Sequence, residues 1–225
     1  MSGLLEACHV SRVLPGPVPA TLVRDVSLTF GGASLTAVTG PSGSGKSSLL
    51  YLLGLLDRPT DGDVLVDGQS TRDLEPETLA ALRLRRFGFV FQFHFLLPEL
   101  TVLENVLVPM RQLGGLRHGD MLRRAAGLLD ALGMGAEGRR LPAELSGGQR
   151  QRTAIARALA NDPQFILADE PTGALDQKNG ALVFDILRWL AREGRTVIVV
   201  THNEALAATA DRQVRLVDGR LDRVS

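Results

Sequence analysis

Apolar and polar side chains alternate over residues 22–30 (LVRDVSLTF), the period-two pattern of a strand with one buried face. Residues 34–39 (SLTAVT) predict a second strand that runs directly into a glycine-rich stretch. Beyond Lys46 the period lengthens, and Leu49, Leu50, Leu52, Leu53 and Leu56 fall on one broad face of a predicted helix. Asp61-Gly62-Asp63 predicts a turn, and Val64–Val66 a short strand closed by Asp67-Gly68. A helix is expected over 77–86 and a strand over Phe87–Phe91. Strand character returns at Phe165–Ala168, followed by a helix over roughly 178–192, a β-branched run at Thr196–Val200 and a short helix. Val214–Val217 and Arg220–Val224, joined through Asp218-Gly219, predict a closing hairpin.

The stretch from 98 to 143 is different. It has helical periodicity, a Gly-Gly break at 114–115 and no strand pattern, as expected of an inserted helical subdomain. The expected organisation is one domain over 1–225, with 1–97 and 144–225 forming the core and 98–143 the insert. Strands and helices that alternate around a central insertion predict an α/β fold with a mostly parallel sheet. Trp189 and the leucines around it fit a helix face packed on that sheet.

Composition narrows the field. The chain has 225 residues, 44% hydrophobic and 22% charged, enough for one sizeable core. Lys plus Arg equals Asp plus Glu at 25 each, a balance that argues against a dedicated nucleic-acid binder. Cys8 is the single cysteine, so no internal disulfide forms and a reducing compartment is the simpler expectation. The N-terminus lacks the basic and apolar regions of a signal peptide, and no apolar run is long enough to span a bilayer. Work at a membrane would need the spans of another chain.

The glycine-rich stretch Gly40-Pro41-Ser42-Gly43-Ser44-Gly45-Lys46-Ser47 stands between a strand and a helix, the context a phosphate-binding loop requires. Its glycines let backbone N–H groups surround an anion, and the helix N-terminus adds a favourable dipole. Lys46 would reach the β- and γ-phosphates, and the Ser47 hydroxyl would bind Mg²⁺. The apolar run Phe165–Ala168 ends in Asp169-Glu170. Beside a phosphate loop, Asp169 reads as the residue holding the metal, directly or through water, and Glu170 as the one polarising the attacking water. Gln92 and His202 follow strands expected to flank the loop, where an amide and an imidazole reach Mg²⁺, water or γ-phosphate. His94 carries no assigned chemistry, and His9 and His118 read as surface or local packing residues.

Leu145-Ser146-Gly147-Gly148-Gln149 stands about twenty residues before Asp169-Glu170. With the loop, Gln92, the paired carboxylates, Gly173-Ala174-Leu175-Asp176 and His202 in this order, nearly the whole chain resembles the ATP-binding cassette (ABC) ATPases. The resemblance implies a P-loop NTPase (RecA-like) core with an N-terminal antiparallel β subdomain and the inserted helical subdomain. It assigns Gly40, Pro41, Ser42, Gly43, Ser44, Gly45, Lys46, Ser47 and Ser48 to the ATP phosphates. It assigns Ser146, Gly147, Gly148 and Gln149 of the LSGGQ signature to an ATP held by the opposite subunit, with Asp176 across the interface. Catalysis falls to Glu170, His202, Lys46 and Gln92, and Mg²⁺ to Ser47, Gln92 and Asp169. The implied unit is an ATP-dependent head-to-tail homodimer docked on integral membrane permease subunits near Gln92–Pro98. Its implied place is the cytoplasmic face of the inner membrane, as a peripheral subunit. The family's usual adenine-stacking aromatic is missing: the position falls near Val13, and residues 10–29 contain no aromatic. Val13 or Val18 would offer the base only apolar contact.

Within the family, Gly88–Pro98, Leu100–Val106, Gly54–Gly62 and Glu170–Gly173 are similar to the lipoprotein-releasing (LolD-like) and macrolide-export (MacB-like) branch. The expected function is an ATPase that powers such a transporter. An FtsE-like ATPase driving a non-transport membrane complex stays open, as does a soluble ABC ATPase, although the chain has neither a long coiled coil nor a second cassette.

Overall fold

The computed structural model describes residues 3–225. Strands β1 (Leu4–Leu14) and β2 (Ala20–Gly31) pair antiparallel, and β1 also pairs antiparallel with β4 (Asp61–Val66), which is edged by the short β5 (Gln69–Ser70). This sheet has the order β2-β1-β4-β5. Periodicity did not reveal β1, because bulges between Ala7 and Val10 and between Val10 and Arg12 break its alternation. The turn expected at Asp61-Gly62-Asp63 is instead the start of β4. Gly62 (φ 82) faces His9 (φ 51) where the β1–β4 register shifts, and a Cβ on Gly62 would lie 2.2 Å from the His9 carbonyl oxygen. Glycine's left-handed backbone here serves a bulge, not a chain reversal.

The second sheet has six strands in the order β10-β9-β3-β8-β7-β6. Strand β3 (Leu35–Thr39) lies parallel to β8 (Thr196–Val200) and β9 (Arg212–Val217). Strand β7 (Phe165–Asp169) lies parallel to both β8 and β6 (Phe87–Phe91), and β10 (Arg220–Val224) closes the edge as the antiparallel arm of a hairpin.

Helix α1 (Lys46–Leu53) and the antiparallel sheet cover one face of this sheet. The other face is covered by α3 (Val102–Leu113), α4 (His118–Ala131), α5 (Gly147–Ala158) and α6 (Gln177–Arg192). Ile166, Ala168, Val197 and Val199 point to that second face, while Phe165, Leu167, Ile198 and Val200 point to the first. Burial on both sides is why β7 and β8 read as continuous apolar runs. The remaining helices are α2 (Pro76–Arg86) before β6 and α7 (Glu204–Ala207) after β8.

Between residues 98 and 143 the chain forms α3, α4 and two short 3₁₀ turns, with no strand. Gly114 (φ 72) and Gly115 (φ 84) separate the helices. Val106, Met110, Leu129 and Met134 are buried in the same cluster as Ile166 and Leu187, so this segment shares the core under the sheet.

Two expectations change. Helix α1 ends at Leu53, capped by Gly54, and Leu55 turns left-handed (φ 58); Leu56 therefore leaves the helix face and is 43% exposed. Trp189 lies on the outer side of α6, also 43% exposed, while Val183, Phe184, Leu187 and Leu190 do the packing.

Candidate functional site

The loop from β3 to α1 is squeezed between β2 and the C-terminal hairpin. A Cβ on Gly40 (φ 141) would lie 2.0 Å from the Leu216 carbonyl oxygen, and one on Gly45 (φ 90) would lie 2.0 Å from that of Leu22. Both positions need glycine for space and for backbone conformation. The Gly219 N–H donates to the Ser44 carbonyl at 3.1 Å, tying the hairpin turn to the loop. Pro41, Ser42 and Gly43 form the exposed rim, and the Ser44 hydroxyl is buried without a hydrogen-bond partner.

Lys46 is buried, and its Nζ donates to the carbonyls of Gly40 (3.0 Å) and Pro41 (2.8 Å). A buried ammonium thus sits inside the loop. The N–H groups of Lys46, Ser47 and Ser48 open the first turn of α1, where no helical carbonyl can receive them. Such an arrangement of N–H groups and an ammonium can cradle an anion.

Asp169 ends β7 and is buried. Its Oδ1 accepts from Ser47 Oγ at 2.8 Å and its Oδ2 from the Tyr51 hydroxyl at 2.7 Å. Burial first, then the hydrogen bond to Asp169, pushes the Tyr51 phenol up to about 12. No sequence motif singled out Tyr51. The available signal was its spacing: it follows Ser47 by four residues, one helical turn on the same side of α1.

Glu170 follows with φ 47, a conformation uncommon outside glycine. Its N–H donates to the Val200 carbonyl at 3.0 Å, so the strand edge holds the turned residue in place. Its Oε2 lies 2.8 Å from His202 Nδ1 and accepts from the His202 backbone N–H at 3.3 Å. His202 is itself largely exposed.

Gln92 stands just past β6 with its amide against Gly173: a Cβ there would come within 3.0 Å of Gln92 Nε2. The segment around it is pinned from α5. Gln151 donates to the Phe91 carbonyl at 3.0 Å, and Arg157 to the carbonyls of His94 (2.7 Å) and Phe95 (2.5 Å). Burial, then Arg150 and Arg157, holds the His94 imidazole below its usual range. Outward from this clamp Phe93 and Phe95 are exposed, at 66% and 62%.

Ser146 to Gln149 lie at the start of α5. Ser146 is the N-cap, accepting from the Gln149 N–H at 3.3 Å, while the Gln149 side chain accepts from the Ser146 N–H at 2.9 Å. Gly147 lies under Leu175, and a Cβ on Gly148 would come within 2.5 Å of Asn179 Oδ1. Asn179 in turn donates through its backbone (2.9 Å) and its amide (2.6 Å) to the two oxygens of Asp176. Those bonds hold the Asp176 carboxyl below its usual range. Signature and Asp176 therefore form one surface patch. Among the described residues no hydrogen bond joins Ser146–Gln149 to Gly40–Ser48. Asn179 was not anticipated from the sequence; its signal was the N-cap spacing Asp176 to Asn179.

Val13, in β1, is partly exposed and its N–H donates to Thr60 Oγ1 at 3.0 Å, whereas Val18 is 85% exposed. A groove of about 740 Å³ opens between α2, β6 and α3, lined by Leu56, Leu84, Phe89, Phe91, Pro109 and Leu113 among others. Among the described residues no helix is long and apolar enough to cross a membrane.

The model of a family described as ABC transporter matches residues 23–173. The chain is 51% identical over 207 residues to the lipoprotein-releasing system ATP-binding protein LolD of Anaeromyxobacter dehalogenans, covering 92% of this chain and 87% of that protein. It is 49% identical over 219 residues to the macrolide export ATP-binding/permease protein MacB of Rhodospirillum rubrum, covering 97% of this chain but only 34% of that protein. In structure it superposes on a dimeric bacterial ABC transporter cassette with a TM-score of 0.90 at 39% identity, over 98% of this chain and 97% of the other. A post-hydrolysis dimer of an ATP-binding cassette bound to ADP and Pi gives the same TM-score, 0.90, at 38% identity.

Proposed function

The chain belongs to the ABC transporter family of ATP-binding cassettes, and from that premise we propose that it binds and hydrolyses ATP to drive a membrane permease of the lipoprotein-releasing or macrolide-exporting kind. The observation that carries this reading is the convergence of Lys46, the Ser47–Asp169 pair and the Glu170–His202 pair on one edge of the parallel sheet. A second component lies outside that edge: the capped signature and Asp176 form their own patch. Two copies arranged head to tail would bring the patch of one against the loop of the other.

Each residue then has a task. The loop N–H groups and Lys46 would hold the phosphates and neutralise charge developing on them. Ser47, Gln92 and Asp169 offer only oxygen donors suited to a hard divalent cation, and no cluster of three or more His, Cys, Asp or Glu exists among the described residues. Such a donor set fits Mg²⁺ shared with nucleotide phosphates, where it would supply charge neutralisation at the γ-phosphoryl group. Glu170 Oε2 is taken by His202, leaving Oε1 as the acceptor for a water aimed at phosphorus. Attack by that water breaks the bond to the ADP oxygen, and Glu170 takes up the proton the water releases.

The groove beside β6 and the exposed Phe93 and Phe95 support docking of an apolar helix from the permease near Gln92–Pro98. Such docking would keep the chain at the cytoplasmic face of the membrane. The MacB proteins carry additional sequence beyond the third of their length that this chain spans, whereas LolD proteins are matched over most of theirs. The test is phosphate release by the purified chain, with and without permeases of both kinds. Mg²⁺-dependent ATP turnover that Lys46→Ala abolishes through lost nucleotide binding supports the reading. Turnover independent of Lys46 would overturn it.

A further inference from the structure

Ser47 and Tyr51 project from the same side of α1 and take the two oxygens of one carboxylate, Ser47 at Oδ1 (2.8 Å) and Tyr51 at Oδ2 (2.7 Å). The Tyr51 ring also meets Phe91 edge to face, with centroids 6.4 Å apart. Phe91 is the residue before Gln92. One side chain thus touches the end of β7 and the end of β6, two of the three segments that carry the oxygen donors.

A carboxylate bonded at both oxygens has a fixed plane, and here Oδ1 is kept turned toward Ser47. We infer that Tyr51 is a positioning residue for the divalent cation of the ATP site: its hydroxyl fixes Asp169 so that Oδ1 and Ser47 Oγ face the same position. The inference rests on the metal–ATP reading above. Outer partners of this kind orient metal ligands, and removing one typically weakens metal affinity or activity about 10–100-fold. The Tyr51 hydroxyl is engaged with Asp169, and the packing of its ring on Phe91 is independent of that hydroxyl. Tyr51→Phe therefore removes one function and keeps the other.

The experiment titrates Mn²⁺ into the full chain saturated with a non-hydrolysable ATP analogue and reads bound Mn²⁺ by electron paramagnetic resonance. The same is done for Tyr51→Phe, with analogue affinity in EDTA and thermal midpoint measured alongside. The expected result is a rise of about tenfold or more in half-saturating Mn²⁺ for Tyr51→Phe, with EDTA affinity unchanged and the midpoint lowered only by the few degrees that loss of one hydrogen bond brings. Mn²⁺ binding equal to the parent overturns the role of Tyr51 and leaves the metal–ATP reading standing. An equal loss in EDTA overturns it too, by making Tyr51 a packing residue. No Mn²⁺ uptake by the parent beyond the analogue alone overturns both.

Discussion

His202 grips a single oxygen of Glu170 twice, through its ring Nδ1 at 2.8 Å and its backbone N–H at 3.3 Å. The grip orients a carboxylate whose backbone is already held in an unfavourable conformation. Glu170→Gln keeps the shape but loses the proton acceptor, so ATP turnover should fall about 10²–10⁴-fold while ATP binding persists and an ATP-bound dimer accumulates. His202→Ala keeps the backbone contact and should lose less. Phosphate release and light scattering measure both; normal turnover in Glu170→Gln would remove it from the chemistry.

Ser146 has a local duty besides the one proposed across the dimer. As N-cap of α5 it accepts from the Gln149 N–H. Ser146→Ala should cost about 1 kcal/mol of stability, a drop of about 2–4 °C in thermal midpoint for a chain of this size. Ser146→Asp retains a capping oxygen but brings a negative charge toward the partner-bound phosphate. Its midpoint should stay near the parent's while ATP-driven dimerisation is lost. A Ser146→Asp chain that dimerises normally would refute the trans contact.

Arg157 is mostly buried and spends its guanidinium on the carbonyls of His94 and Phe95. Arg157→Met keeps much of the bulk and removes both bonds. A destabilisation of about 1–3 kcal/mol is expected, together with faster amide hydrogen exchange confined to residues 93–97. Exchange unchanged there would show that the segment is held by other contacts.

By family resemblance the adenine-stacking position falls near Val13, and residues 10–29 contain no aromatic. Val13→Tyr should tighten ATP binding by about 1–3 kcal/mol, the worth of one base–aromatic contact. ATP and GTP should differ less in the parent than in a relative that carries the aromatic. A strong ATP preference in a competition titration with the unmodified chain would mean that another group reads the base.

Strands buried on both faces, such as Thr196–Val200, were legible because every residue there is apolar or β-branched. Strand β1 was not: its bulges at His9 and around Ser11 break the period on which the reading depends. The end of α1 misled for a local reason, since Leu56 continues the apolar spacing while Gly54 and Leu55 have already left the helix. In the site, glycines, lysine and paired carboxylates were visible as motifs because their chemistry restricts residue type. Tyr51 and Asn179 were invisible as motifs because their importance comes from where neighbouring elements bring them, to Asp169 in one case and to Gly148 and Asp176 in the other.

The contact of Asn179 with both Gly148 and Asp176 carries a consequence for heredity as much as for mechanics. In the proposed head-to-tail dimer, a mutation at any one of the three would be felt by its neighbours, yet its damage would surface at the nucleotide cradle of the other copy. In a cell making two alleles of this chain, a defective allele would spoil the site built on a healthy loop, and wild-type protein would inherit the injury by assembly alone.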